Sequence, residues 1–241
     1  MLVVRASELE GVHMSETGSE RIVLDIPVSF AAEELVKLCG FAATDADDDG
    51  LVEEFLLLVN EWAAPKAIIK WAQVDSVEGY DVTIEGVTFT SKVVADKLKD
   101  TPRVFLSVIT AGRGLEACDE LDDDVLTNML DGALIYHAVE YTIRHMKETF
   151  GFDGSSMLQP GSLPDWPIAN NFALFGIIGN TEEIGVFLND AGYIDPWNSV
   201  SAIHFSGDGY HNCSLCKKYD CIGRRAPFDR DEYIRIFGVE P

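Results

Sequence analysis

Between positions 159 and 205 the chain strings together a Pro-rich loop, one helix and one strand, an order that few folds accommodate. Pro160, Pro164 and Pro167 each fix φ and remove a backbone donor, so this loop cannot continue a helix or join a central ladder. A helix carrying Leu174 and Phe175 follows, and then a strand through Ser199, Val200 and Ser201 that includes His204.

The preceding segments decide what the loop is attached to. Residues 21–28 alternate Ile22, Leu24, Ile26 and Val28, as a strand does, with Pro27 marking its end or an edge. Helical spacing follows over 31–39, stopped by Gly40, and again over 51–63, where Asp48 or Asp49 is expected to cap free N–H groups. Residues 67–74 read as a strand or mixed element. Residues 81–89 read as a strand on Val82, Ile84, Val87 and Phe89 that Gly86 bulges or turns. A helix over 91–98, a strand over 103–110 and a long helix over 125–149 complete the pattern, the last begun by 122–124 and showing Leu126, Met129, Leu130, Ala133, Leu134, Val139 and Ile143 on one face. Strands and helices do not alternate as in a doubly wound sheet, which predicts an α+β fold: a twisted, mainly antiparallel sheet flanked by helices. Residues 1–20 lack periodicity and are expected to be a mobile tail before a single domain over 21–241.

Charge and apolar content exclude several classes of partner. A net charge of −23 repels phosphate backbones and anionic lipid, against nucleic acid or a membrane surface. The longest apolar runs, 55–59 and 172–178, fall far short of the ~20 residues that span a bilayer. The first residues lack the cationic start and apolar stretch of a secretory signal. Five cysteines, an odd number, make no extracellular disulfide framework, so a reducing, cytoplasmic location is expected.

Three constellations carry candidate chemistry. Gly112, Gly114 and Ala117 match G-x-G-x-x-A after a strand, which suits a dinucleotide loop, a tight strand-to-helix turn or the wall of another groove. The acidic run from Asp45 to Gly50 begins like a calcium loop, but Leu56 stands at the twelfth position where a bidentate Glu is required. His211, Cys213, Cys216 and Cys221 have the spacing of zinc or iron–sulfur ligands, of reactive thiols, or of reduced cysteines packed in a loop. Lys217, Lys218, Arg224 and Arg225 beside them would stabilise thiolate or dock an acidic redox carrier. His137, His145 and Glu140 read as structural residues of the long helix, Glu140 bonding backbone or Tyr141.

Four segments together resemble the activation domain of vitamin B12-dependent methionine synthase: 164–168 (Pro-Asp-Trp-Pro-Ile), Leu174-Phe175, 184–188 (Ile-Gly-Val-Phe-Leu) and 196–201 (Pro-Trp-Asn-Ser-Val-Ser). Looser matches at 109–112, Leu115-Glu116, 130–132 and Glu140 extend the similarity from roughly residue 27 to residue 225. The resemblance implies the antiparallel fold already read from the pattern. It also implies a 157–166 loop that holds S-adenosylmethionine through an Arg, with Gly-Tyr four and five residues later. Aligned on Pro164 and Pro167, this chain has Leu158 in place of the Arg and Ser162-Leu163 in place of Gly-Tyr. An unpartnered carboxylate removed from water costs several kcal/mol, so Arg113, Arg224, Arg225 or the N–H groups of Gly161 and Ser162 would have to substitute. The candidate cofactor contacts are Pro160, Gly161, Ser162, Asp165, Trp166 and Tyr210, with Trp166 alternatively a core plug.

The function so implied is that of an accessory protein that reactivates, reductively, a corrinoid carried by a partner methyltransferase or corrinoid protein. S-adenosylmethionine would be the methyl donor. The alternative is a binding module or metal-bearing electron relay that does not use S-adenosylmethionine. Either requires an open hollow beside the Trp166 loop.

Overall fold

The computed structural model describes residues 21–39, 50–118, 124–207, 209–219 and 224–241. Its organising element is β2 (Lys66–Glu78), a 13-residue strand whose apolar positions Ala67, Ile68, Ile69 and Ala72 are all buried. Its first half pairs antiparallel with β1 (Arg21–Asp25), and its second half with β3 (Asp81–Ile84) after a register shift between Val74 and Ser76. The strand expected over 21–28 thus ends at Asp25, and the element expected over 67–74 runs on to Glu78.

The 81–89 segment turns rather than bulges. Glu85 and Gly86 both take positive φ, 49° and 76°, which closes a two-residue hairpin between β3 and β4 (Val87–Thr90). The sheet runs β4-β3-β2, then β5 (Arg103–Thr110), β9 (Ser199–Phe205) and β6 (Ser156–Leu158), with every pairing antiparallel. A separate two-stranded hairpin joins β7 (Phe187–Leu188) to β8 (Ile194–Asp195).

β5 is buried from Val104 to Thr110, so both faces of the sheet are covered. Period-2 alternation sorts its side chains. Val104, Leu106 and Val108 join Ile68, Leu158 and Ile203 in one cluster, covered by α3 (Lys92–Leu98), α5 (Asn170–Ile178) and α6 (Arg230–Phe237). Phe105 and Ile109 join Ala67, Ile69, Met157 and Ala202 on the opposite face, against α4 (Asp124–Phe150). A third cluster packs α1 (Ala32–Cys39) and α2 (Leu51–Trp62) on the first half of α4 through Leu35, Phe55, Val59, Leu130 and Leu134. Of the apolar face expected for the long helix, Leu130, Ala133, Leu134 and Val139 are buried, whereas Leu126, Met129 and Ile143 pack against these clusters half-buried.

Local chemistry explains the element ends. Ser91 accepts from the Val94 N–H and caps α3, and Asp229 does the same for α6 through the Glu232 N–H. The N-cap of α2 is Gly50, in left-handed conformation with no side-chain cap. Asp48, Asp49 and the rest of the acidic run before Gly50 lie outside the described residues. The glycine motif after β5 is a tight turn into a 3-10 segment at Leu115–Ala117. A Cβ on Gly114 would stand 1.7 Å from the Trp62 carbonyl oxygen, so glycine is required by contact with the end of α2. That contact gives the motif a packing role.

Candidate functional site

Strand β6 decides which side of the Pro-rich loop faces what. Leu158 points into the cluster under α3 and α5 and is fully buried, whereas its neighbour Met157 points to the α4 face. The position aligned with the family's arginine is therefore a core position, and a cation there would have no water and no partner.

The loop that follows is stitched to the same core. Gly161 N–H donates to the Trp166 carbonyl at 2.8 Å, and Trp166 N–H to that of Leu163 at 3.2 Å. The Trp166 ring is 0% exposed and meets Phe89 edge-on at 5.9 Å. Asp165 accepts from the Lys92 N–H at 2.7 Å, at the start of α3. Pro160 is buried, and Ile168 packs where a Cβ on Gly161 would stand. Of the cofactor contacts expected from sequence, Trp166 is thus a core plug, Asp165 a helix-end acceptor, and Gly161 a close-packing glycine. Tyr210 also turns to α3, with Lys97 Nζ 4.5 Å from its ring centre, and burial raises the pKa of its hydroxyl. Ser162 Oγ accepts from Asn212 Nδ2 at 3.0 Å, which ties the loop to the Cys-rich segment.

Trp166 itself is sealed, contrary to the expectation of an open hollow beside it; the open groove lies on the other face and takes only Met157 and Gln159 from the 157–166 segment. Between α4 and the strands β6 and β9 runs a groove of ≈ 480 Å³. Its apolar lining comes from Ile135 and Val139 of α4, Met157 of β6, Val200 of β9, and Trp197. Gln159, Asn128, His211 and Asn212 add neutral polar groups, and Lys37, Lys218 and Arg225 supply charge. No carboxylate appears among the described lining residues, in a chain with 41 acidic and 18 basic side chains. A low-dielectric wall bearing cations alone favours a ligand with an apolar body and an anionic end.

Trp197 is held at the mouth by its neighbours although its own ring is 59% exposed. Asn198 Nδ2 donates to the Gly112 carbonyl at 2.9 Å, and Ala111 N–H donates to that of Asn198 at 3.0 Å. Ser201 Oγ donates to Asn171 Oδ1 at 2.6 Å while Asn171 Nδ2 donates to the Gly192 carbonyl, locking β9 to α5 and to the β7–β8 hairpin. On its other side Trp197 borders a second hollow of ≈ 590 Å³ with Phe187, Tyr193 and Arg113. The two hollows form one aromatic-edged surface with Trp197 between them. Sequence reasoning placed Trp197 within a motif without a site role. Nothing in the sequence separates an exposed tryptophan after a proline from a buried one.

The Cys-rich segment lies along β6: Met157 N–H donates to the Tyr210 carbonyl at 2.9 Å, and Met157 bridges His211. The Arg224 guanidinium donates to the carbonyls of Cys213, Cys216, Lys218 and Ala226 at 2.6 to 3.1 Å, so it holds the loop together and is not free for a ligand. Lys217 lies over the Tyr233 ring. Cys213 and Cys216 are free thiols, and Cys213 Sγ accepts the Arg225 N–H at 3.4 Å. Among the described residues no group of three His, Cys, Asp or Glu could hold a metal, and Cys221 lies outside them. His211 and Cys213 instead line the groove, where burial and the Arg225 charge lower the pKa of His211 and favour its neutral form.

Arg225, with Lys218, is a cation of this segment that lines the groove. Its side chain is 19% exposed; one guanidinium nitrogen forms an ion pair with Glu140 Oε1 at 2.8 Å and the guanidinium carbon sits 5.2 Å from the Tyr136 ring centre. Glu140 therefore partners Arg225, not backbone or Tyr141 as expected from sequence.

No protein-family model matches this chain, and no curated protein matches it in sequence. Among solved structures it is similar to the MetH reactivation domain in a crystal structure with AdoHcy bound. The TM-score is 0.54 and the identity 14%, over 90% of this chain and 86% of that one. No helix of the described residues is long and apolar enough to cross a membrane. At this identity the likeness concerns architecture: a mainly antiparallel sheet flanked by helices is what this chain shares with the MetH reactivation domain.

Proposed function

We propose that this protein covers a corrinoid carried by a partner methyltransferase or corrinoid protein and supports its reductive reactivation, with S-adenosylmethionine in the groove as methyl donor. The observation that carries the reading is the groove between α4 and β6/β9, which opens beside an exposed Trp197 in a fold shared with a reactivation domain that binds AdoHcy. The groove is of a size for one small ligand, and its apolar floor and cationic wall match an adenosyl group with a carboxylate end. The corrin supplies the cobalt that is reduced and methylated.

The chain's own contribution is placement. Trp197, Tyr193 and Phe187 offer flat, exposed aromatic surface for a tetrapyrrole-like ring or the protein around it. Met157, Val139 and Val200 exclude water from the groove, and the backbone around Asn198 keeps the aromatic edge in register with it. No general acid or nucleophile is called on.

A second reading is favoured by Leu158. With no arginine in the 157–166 segment and its aligned position sealed, the chain would be a module that docks a corrinoid protein without S-adenosylmethionine. In a variant of this reading His211, Cys213, Cys216 and Cys221 would hold zinc or an iron–sulfur cluster and relay electrons from an acidic carrier. Metal analysis and a visible spectrum of anaerobically isolated protein test that variant, and substoichiometric metal rejects it. For the main proposal, the protein is mixed anaerobically with a Co(II) corrinoid protein, a strong reductant and S-adenosylmethionine. Methylcobalamin is expected to form faster than without the protein, and an unchanged rate removes the role. Calorimetry separates the readings: micromolar S-adenosylmethionine binding supports the first, none the second.

A further inference from the structure

We infer that Arg225, positioned by Glu140, supplies the carboxylate contact missing from the 157–166 segment and so reads the carboxylate of the α-amino acid end of an adenosyl thioether or sulfonium in the groove. The inference rests on the reading that the groove holds such a ligand, and it is tested apart from corrinoid chemistry.

Three arginines are available to replace the missing one, and their surroundings separate them. Arg224 is consumed by four carbonyls. Arg113 lines the other hollow and is paired with both Glu116 and Asp195. Arg225 lines the groove and, among the described residues, has one ion pair, to Glu140. A guanidinium has five N–H donors in a planar fork, so a single ion pair with Glu140 leaves donors for a carboxylate. The Tyr136 face and Glu140 hold the side chain without exhausting it.

Glu140 does not line the groove; its Oε1 lies 2.8 Å from an Arg225 nitrogen and positions the guanidinium from outside the lining. The ligand's ammonium is left to neutral acceptors of the lining, such as Gln159. The adjoining wall carries a further acceptor: Asn212 is 2% exposed, and its Oδ1 has no partner while its Nδ2 is bonded to Gln159 and Ser162. The lining cations Lys37 and Lys218 bias the same end of the ligand to be anionic.

The test uses calorimetry on the full chain with two probes, S-adenosylhomocysteine and 5′-methylthioadenosine, which lacks the amino acid end. The unsubstituted chain is expected to prefer S-adenosylhomocysteine. Arg225→Gln should lower that affinity roughly 30-fold, as for loss of a charged hydrogen-bond pair, and Arg225→Lys should recover part of it. Affinity for methylthioadenosine should change less than about threefold, with circular dichroism confirming each variant's fold. Equal S-adenosylhomocysteine affinity in Arg225→Gln overturns the inference. So does an equal loss for both probes, which marks Arg225 as a tie between the C-terminal segment and α4, and so does absence of S-adenosylhomocysteine binding by the unsubstituted chain. If Arg225→Gln does not fold, Glu140→Gln carries the test: a selective loss for S-adenosylhomocysteine supports the inference and an equal loss overturns it. Arg225-dependent binding without faster corrinoid methylation supports this inference and removes the reactivation role.

Discussion

The two faces of the sheet are built from the same strands and do opposite things. Under α3, α5 and α6 the core is closed: Trp166, Leu158, Leu163 and Tyr233 are each 3% exposed or less. Under α4 the same strands leave a groove in which Met157 and Val200 meet Trp197 and Arg225. The family-like residues at 164–168 belong largely to the closed face. They hold the loop rigid while the open face carries the groove proposed to bind ligand, so the most recognisable segment supplies little of the lining of that groove.

The largest test of that division restores the missing arginine at its aligned position. Leu158→Arg would put a guanidinium into the closed core and is expected to destabilise the fold by more than about 4 kcal/mol in urea titration, with no gain in nucleoside binding. A stable Leu158→Arg that bound S-adenosylhomocysteine more tightly would place the ligand on the closed face and break the comparison. Trp166→Ala removes the largest plug of that face and should cost about 3 to 5 kcal/mol.

Next in size is acid sensitivity at the seam between β5 and β9. His204 is fully buried, bonded to Ser107 Oγ at 2.8 Å and to the Gly154 carbonyl at 2.9 Å, and burial lowers its pKa from 6.5 to about 4. Below 6.5 the unfolded chain takes up a proton that the folded histidine refuses. Stability should therefore fall as pH drops from 6.5 toward 4, by roughly 3 kcal/mol in all, and urea midpoints across that window measure it. Asp131 works in the opposite sense. Burial raises its pKa from 3.8 to about 6, so the folded state holds the extra proton and stability falls as pH rises between those values. Asp131→Asn should steepen the acid loss, and an unchanged slope would show that its carboxyl is not held apart from water.

The smallest stability effect belongs to the open face. Trp197→Ala should change unfolding free energy by less than about 0.5 kcal/mol, because the ring is 59% exposed. It should nevertheless weaken association with a corrinoid protein by about tenfold, read by anaerobic titration. A variant that lost stability and kept its affinity would reverse the roles of the two faces.

Elements whose residues carry their own period were legible in the sequence. The run 103–110 formed β5, the helix expected over 125–149 formed α4 with the apolar face assigned to it, and Gly86 did turn its segment. Features that depend on direction were not. Whether Leu158 or Met157 faced the groove turned on a one-residue register that no spacing within a three-residue strand reveals. Trp166 and Trp197 each stand beside a proline, yet one is a plug and the other an open edge.

The sequence alone determined the antiparallel α+β architecture, the rigid Pro-rich loop and the absence of an arginine from it, because periodicity, proline geometry and residue identity are local properties. Only the tertiary structure decided that a groove opens under α4, that Arg224 is spent on carbonyls while Arg225 lines the groove, and that Glu140 pairs with it. The Arg225–Glu140 pairing joins residues 85 positions apart, and which side chains meet there depends on how the helix and the C-terminal segment pack against the sheet.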